Sequence, residues 1–337
     1  LEPSFGDGYF LFATLEKLSV LKASKIQIAQ QLYGCELDSI EFNKAISRIR
    51  ALDSRFEFPN LRKGDFFDIY NKHLNQIKFD AVVGNPPFIR YQNFEEKHRE
   101  KAFKIMEVAG LHPNRLTNAW VPFLLASSLL LKEGGRIGLV IPAELLQVKY
   151  AEDLRKFLSN YYGVITLITF EKIIFPGIQQ EVVLFLGEKT GVEEGINVIE
   201  LKDERCLKEY IHEFPSKKEL KPIDHGSDKW IQYYLTSEEI LLLRRLKKDE
   251  RLIKLGEVAE VDVGIVTGRN DFFLVDNEQV NKFNLKQFTL PLVGRTSQIK
   301  GLLFNSSDWK NNNNKGLKTN LLNIPVNSNG NLHRKIK

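Results

Sequence analysis

Short apolar runs alternate with longer amphipathic stretches along the first half of the chain. Runs at 32–36, 80–84, 136–141, 164–170 and 181–186 have the length and bounding residues of strands. Between them, apolar residues recur at helical spacing over 9–22, 39–50, 117–132 and 143–160. This alternation predicts an α/β fold, a doubly wound and mostly parallel, Rossmann-like sheet with helices on both faces. The connection from the 164–170 run to the 181–186 run is too short for a parallel crossover, so the last strand is expected to be antiparallel.

Past about residue 188 the pattern changes. Residues 188–230 read as charged and irregular, 237–248 as a short helix, and 258–273 as strand-like with glycine punctuation. The tail, with its run Asn311–Asn314, reads as loop. The expected division is a larger α/β domain over 1–218 and a smaller C-terminal α+β domain over 219–337.

Composition narrows this picture only a little. Of 337 residues, 43% are hydrophobic, enough for a real core, and the net charge of +5 suits a polyanionic partner without requiring one. No apolar run approaches the roughly 20 residues of a membrane span, so no membrane association is expected. Cys35 and Cys206 lie far apart and outside any CxxC pair, and the histidines lack ligand spacing. Free thiols in a reducing, cytoplasmic setting and no metal site follow. No signal peptide is expected. The chain opens at Leu1 with a ligand-binding type of turn at residue 2, where a parallel sheet needs a strand just upstream. A piece of a longer protein is therefore expected.

The chemistry concentrates at the strand ends. In Glu2-Pro3-Ser4-Phe5-Gly6-Asp7-Gly8, glycines allow a tight strand-to-helix turn and close backbone approach to a ligand. The carboxylates Glu2 and Asp7 would repel a pyrophosphate but suit a cationic ligand such as a sulfonium; a plain turn is the rival reading. In Gly34-Cys35-Glu36-Leu37-Asp38, Glu36 stands where an acidic side chain accepts from a ribose diol, and Asp38 where one caps the next helix. The rival makes Glu36 a solvated strand end. In Gly64-Asp65-Phe66-Phe67, Asp65 and Phe66 are placed to meet an adenine edge and ring, although Gly-Asp is also ordinary turn chemistry.

The run Asp80-Ala81-Val82-Val83-Gly84-Asn85-Pro86-Pro87-Phe88 carries most weight. An adenine amino group is a poor nucleophile because its lone pair is delocalised into the ring. Acceptors around its N–H bonds favour the tetrahedral geometry it needs for attack. The Asn85 side-chain oxygen and the Pro86 carbonyl are such acceptors, and Pro86 and Pro87 add no competing N–H. Proline also fixes φ and so holds the acceptors still. Phe88 offers a flat face for an extruded base, worth about 1–3 kcal/mol. The bland alternative is a strand end followed by a proline turn.

In this order the motifs resemble the gamma class of N6-adenine DNA methyltransferases, in the TaqI-methyltransferase-like, restriction-modification branch. The matching segments are EPSFGDGYF (2–10), GCELD (34–38), GDFF (64–67), GNPPFIRYQ (84–92), GGRIGLVIPAEL (134–145) and FPGIQQEVVLFLG (175–187), spanning roughly residues 1–190. The resemblance implies a methyltransferase sheet, S-adenosyl-L-methionine as donor and a flipped target adenine in double-stranded DNA. It implies that Glu2, Pro3, Gly6 and Gly8 border the methionine part of the donor. Glu36 would then hold its ribose, Leu37, Asp65 and Phe66 its adenine, and Asn85, Pro86, Pro87 and Phe88 the target base. Asn85 also borders the donor. Phe175 matches a second aromatic that approaches the flipped base, with packing between strands as its rival role. The family has a further donor-binding motif upstream of residue 2, which this sequence lacks.

In the C-terminal part, residues 261–273 resemble one segment of the family's specificity domain. That implies DNA contacts for Arg269 and Asn270, against a bare surface turn. Arg90 and Tyr91 follow the proline loop and are candidates for DNA contact or for a solvated loop. A restriction endonuclease partner or fused nuclease fits the same family. Alternatives to a DNA adenine methyltransferase are an enzyme acting on an RNA base or a protein glutamine, and a non-catalytic DNA-binding subunit.

Overall fold

The apolar runs of the first half all become strands, and the first residues of the chain stitch them together. The computed structural model describes residues 1–52, 57–171, 181–192, 195–207, 220–226, 229–260, 262 and 264–324. The strands are β1 (Gly34–Glu36), β2 (Leu61–Lys63), β3 (Phe79–Gly84), β4 (Leu131–Pro142), β5 (Val164–Phe170), β6 (Val182–Glu188) and β7 (Gly195–Leu201). β1 pairs with β2 and β3 with β4, both in parallel. Leu1 and Glu2 lie between those pairs. The Glu2 N–H donates to the Tyr33 carbonyl at 2.9 Å and the Cys35 N–H to the Glu2 carbonyl at 3.0 Å; the Val83 N–H donates to the Leu1 carbonyl at 3.0 Å. Read through residues 1–2, the strand order is β2-β1-(1–2)-β3-β4-β6-β5-β7.

β6 runs antiparallel to β4 and to β5, as the short connection demands. β7 lies parallel to β5, within a stretch that reads as irregular from its charge. β5 is buried along nearly its whole length, the pattern of a strand covered on both faces. α6 (Trp120–Leu129), which packs against β4, is buried from Trp120 through Ser128.

Local signals set several helix ends. Asp38 Oδ1 accepts from the N–H groups of Ile40 at 2.7 Å and Glu41 at 3.1 Å, starting α3 (Ser39–Leu52). The single helix expected over 9–22 is α1 (Tyr9–Val20), followed by α2 (Lys25–Gln31), which Ser24 and Gln27 cap reciprocally. The helix expected over 143–160 is instead two 3-10 turns, Ala143–Leu146 and Lys149–Ala151, before α7 (Glu152–Tyr161). The cause is Arg155, whose buried guanidinium takes the carbonyls of Leu145 and Val148, each at 2.9 Å, and so folds the segment back. Two further helices, α4 (Phe66–Ile69) and α5 (Glu96–Val108), have no counterpart in the sequence reading.

Compact packing divides the chain into Leu1–Asp249 and Glu250–Lys337. This division by packing falls later in the chain than the boundary expected at 218/219. Ile223, Trp230, Tyr233 and Ile240 are buried in the main core of the first unit, so residues 220–247, including α8 (Ser237–Lys247), belong to it. The second unit has an antiparallel three-stranded sheet of β8 (Leu274–Val275), β10 (Asn320–Leu322) and β9 (Thr289–Pro291), in that order. Val275, Val280, Leu285 and Leu322 form its small core. The expected strand over 258–273 is corrected: its described residues hold helical turns at Leu255–Val258 and Asn270–Phe273 and no strand between them. The Asn311–Asn314 run is likewise not loop but the end of the helix Ser306–Asn314, where Asn312 donates to the Gln298 carbonyl and Asn313 to Thr319 Oγ1, both at 2.9 Å. No helix among the described residues is long and apolar enough to cross a membrane.

Candidate active site

Because β2, β1, residues 1–2 and β3 are neighbours and parallel, their carboxyl ends meet at one edge of the sheet, the edge at which open α/β sheets bind ligands. A cavity of about 660 Å³ opens there. Its wall includes Pro3 from the first loop, Glu36 and Leu37 from the end of β1, Asp65 and Phe66 from the end of β2, and Pro87 from the end of β3. Four segments separated in sequence thus converge on one space.

The loops are locked to one another. Glu36 is buried; its Oε2 accepts from the Gly6 N–H and its Oε1 from the Asp38 N–H, each at 2.7 Å. Each oxygen retains a lone pair for a ligand hydroxyl. Gly6 has φ +52° and Gly8 φ +92°, and a side chain at Gly8 would meet Ala45 Cβ at 3.0 Å, so this turn admits no larger residue without strain. A side chain at Gly84 would meet Glu2 Cγ at 3.3 Å and Pro3 Cδ at 3.4 Å, which measures how closely the first loop and the proline loop abut.

Electrostatics separate the two carboxylates of the first loop. Asp7 is paired with Arg48 at 3.0 Å, so it is already neutralised. Glu2 is buried, and its Oε2 has no hydrogen-bond partner among the described residues. Burial, reinforced by the Glu36 carboxylate, pushes the Glu2 carboxyl up to about 8. Such a group gains most from a cation placed beside it. Asp65 caps α4 by accepting from the Asp68 N–H at 3.0 Å, and burial raises its carboxyl above the ordinary range.

Among the cavity residues that escaped the sequence reading are His98 and Phe123. His98, on α5, is buried with Nδ1 3.0 Å from Asp65 Oδ2, close but outside hydrogen-bond geometry. It lies in helical register with buried Ala102, Ile105 and Met106, a periodicity that marks this face of α5. Phe123 comes from α6 and stacks on Phe66 with centroids 5.1 Å apart and planes 19° from parallel. No periodic signal singles out Phe123, because its helix is buried on every side.

The proline loop itself has Asn85 exposed, Pro86 buried, and Pro87 and Phe88 half-buried, with Phe88 resting against the main core. The Asn85 side chain has no hydrogen-bond partner among the described residues. Arg90 is exposed, and the Tyr91 N–H donates to Asn118 Oδ1 at 3.1 Å. Phe175 falls outside the described residues. Arg269 and Asn270 lie in the second unit, where Thr267 Oγ1 donates to Asn270 Oδ1 at 2.6 Å.

These features fit S-adenosylmethionine. Of the lining residues, Glu36 suits its ribose and the stacked Phe66 and Phe123 beside Asp65 its adenine; Glu2, whose orphaned oxygen suits a cationic methionine end, is buried next to Pro3 and is not itself among the lining residues.

Residues 12–175 match the family model described as Eco57I restriction-modification methylase. Residues 227–337 match the Type II methyltransferase M.Eco57I, C-terminal domain. The chain is 26% identical over 321 residues to the Type II methyltransferase M.AccI of Acinetobacter calcoaceticus, covering 92% of this chain and 55% of that protein. It is 26% identical over 304 residues to the Type II methyltransferase M.HindII of Haemophilus influenzae, covering 86% and 52%. Its fold is similar to a nuclease-deletion mutant of the Type ISP restriction-modification enzyme LlaGI in complex with a DNA substrate mimic, with a TM-score of 0.62, 17% identity, and coverage of 85% of this chain and 32% of that one. The chain spans about half the length of the curated relatives it matches. With one family model spanning β1 to β5 and the cavity loops that follow β1, β2 and β3, and the other matching the C-terminal part, the chain belongs to the Eco57I-type restriction-modification methylases, which take their methyl group from S-adenosylmethionine.

Proposed function

We propose that this chain carries the methyl-transfer site of a site-specific DNA adenine methyltransferase in a restriction-modification system, acting on the exocyclic N6 of a flipped adenine in double-stranded DNA. One observation carries the reading: the Asn-Pro-Pro-Phe loop contributes Pro87 to the same cavity that Glu36 and Asp65 line.

When bound, S-adenosylmethionine supplies an electrophilic methyl group. The chain's own residues do the rest. Glu2 offers its buried carboxylate to positive charge, Glu36 accepts from the ribose, and Asp65 with Phe66 and Phe123 orients the adenine of the donor. The Asn85 side-chain oxygen and the Pro86 carbonyl accept from the target amino group, holding its nitrogen lone pair out of conjugation. Phe88 provides the stacking face that an extruded base loses when it leaves the duplex. Phe175 is proposed as the second aromatic at the target base. Arg269 and Asn270, on a turn of the second unit, are proposed to contact the DNA, and a nuclease is proposed as partner or as a fused part.

The test is to incubate the full-length protein with labelled S-adenosylmethionine and genomic DNA, then to map the modified bases. Label on adenine N6 at one recurring sequence is the expected result. Label on cytosine, or only on RNA or protein, overturns the reading.

A further inference from the structure

A second cavity, of about 400 Å³, lies beside the proline loop. Arg90 and Tyr91 form part of its wall, immediately after the loop, and Arg115, Asn118 and Tyr150 form the opposite part. Lys149 also borders it but is already paired with Glu152. Among the described residues, no carboxylate lines the cavity. Neither Arg90 nor Arg115 has an acidic partner among the described residues, whereas Lys101, Lys132, Arg136 and Lys189 each end on one.

The wall is built rather than incidental. Asn118 accepts the Tyr91 N–H at 3.1 Å and donates to Tyr150 Oη at 2.9 Å and to Glu144 Oε2 at 3.3 Å. Tyr150 Oη in turn donates to Glu144, whose charge is thereby met by two donors behind the wall. Burial keeps the Tyr150 phenol protonated throughout the working pH range. The Arg99 guanidinium sits 4.4 Å above the Tyr91 ring, fixing that ring from behind. Two unneutralised guanidiniums on a wall held in place by Asn118 and Tyr150 form the chemistry that recognises a phosphodiester oxygen.

Distance in the chain ties this cavity to the target base. Arg90 follows Asn85 by five residues, which at full extension is about 17 Å and in a folded loop less. That is the reach of one or two nucleotides. The loop is also anchored to the cavity wall: the Ala119 N–H donates to the Ile89 carbonyl at 2.9 Å, next to the Asn118 contact.

We propose that this cavity grips the sugar–phosphate backbone of the DNA strand beside the extruded adenine, with Arg90 and Arg115 on a phosphodiester and Tyr150 and Asn118 positioning the grip. The inference rests on the DNA-methyltransferase reading above and adds a subsite to it. Such a grip carries no sequence information but sets the register of Asn85 against the base.

The test uses the full-length protein, S-adenosylhomocysteine, and a short duplex containing the adenine site found by mapping. Arg115→Ala should weaken duplex binding about tenfold. It should also flatten the slope of log affinity against log salt by about one. S-adenosylhomocysteine affinity, measured by calorimetry, should not change. Arg115→Lys should restore the slope. Replacing the phosphodiesters flanking the adenine by neutral methylphosphonates should erase the difference between wild type and Arg115→Ala. If Arg115→Ala and Arg90→Ala bind this duplex with the wild-type salt slope while wild type methylates it, the subsite is wrong and the methyltransferase reading stands. If the wild type modifies no DNA at all, both fall.

Discussion

Asn85 stands exposed at the end of β3 while Pro86 behind it is buried, so its side chain is presented by a rigid loop without supporting the core. Asn85→Ala should therefore leave the melting temperature within about a degree of wild type. Methyl transfer should fall by at least about a hundredfold, read as label incorporated into DNA. Wild-type turnover in that variant removes Asn85 from the chemistry. Glu2 is the opposite case, a buried group whose ionisation is resisted. Its folded-state carboxyl, pushed up to about 8, holds a proton that the unfolded chain releases near the ordinary glutamate value. Its contribution to stability is present at low pH and is lost as pH rises through about 8. Melting measured without donor should drop by a few degrees more in wild type than in Glu2→Gln as pH goes from about 5 to about 9. A cation beside Glu2 favours the ionised form, so S-adenosylhomocysteine, through its ammonium, should bind more tightly as pH rises toward 8, and Glu2→Gln should lose that dependence. Parallel melting curves for the two proteins would falsify the strained-carboxylate account.

β6 is the element on which the sheet turns, because it separates β4 from β5 and pairs with both. Phe185 at its centre is fully buried, opposite Leu139 on β4 and Leu167 on β5, with the Tyr162 ring 5.7 Å away. Phe185→Ala should cost about 3–5 kcal/mol, seen as a shift in the denaturant midpoint with an unchanged slope. A loss below about 1 kcal/mol would mean that the Phe185 ring is not packed in the core. Elements differ in how far their residues announce them. The β5 run Val164–Phe170 is apolar apart from Thr166 and Thr169, and its bounds are those read from the pattern. α5 is mostly charged on its outer face, and only His98, Ala102, Ile105 and Met106 mark its inner one, so its periodicity hides among polar residues. The Asn311–Asn314 run has poor helix propensity, but Asn312 and Asn313 find buried acceptors on Gln298 and Thr319, and those bonds override the preference.

Across the molecule, every residue lining the donor-shaped cavity belongs to Leu1–Asp249. That fragment alone should unfold cooperatively and bind S-adenosylhomocysteine within about twofold of the whole chain by calorimetry. Loss of that binding on truncation would give the second unit a direct part in the donor site. The motifs at residues 2–8, 34–38, 64–67 and 84–88 stood out in the sequence because each is built of particular residue types: glycine for positive φ, carboxylate for a diol or a cation, proline for a donor-free turn. Such requirements act within a few residues and leave a mark in the chain itself. The pairing of Glu36 with Gly6, the neutralisation of Asp7 by Arg48, the isolation of Glu2, and the arrival of His98 and Phe123 are another matter. They depend on the order in which strands lie side by side, on which faces of α5 and α6 turn inward, and on how much water burial removes. Those are properties of contacts between distant segments, and no local pattern of residues encodes them.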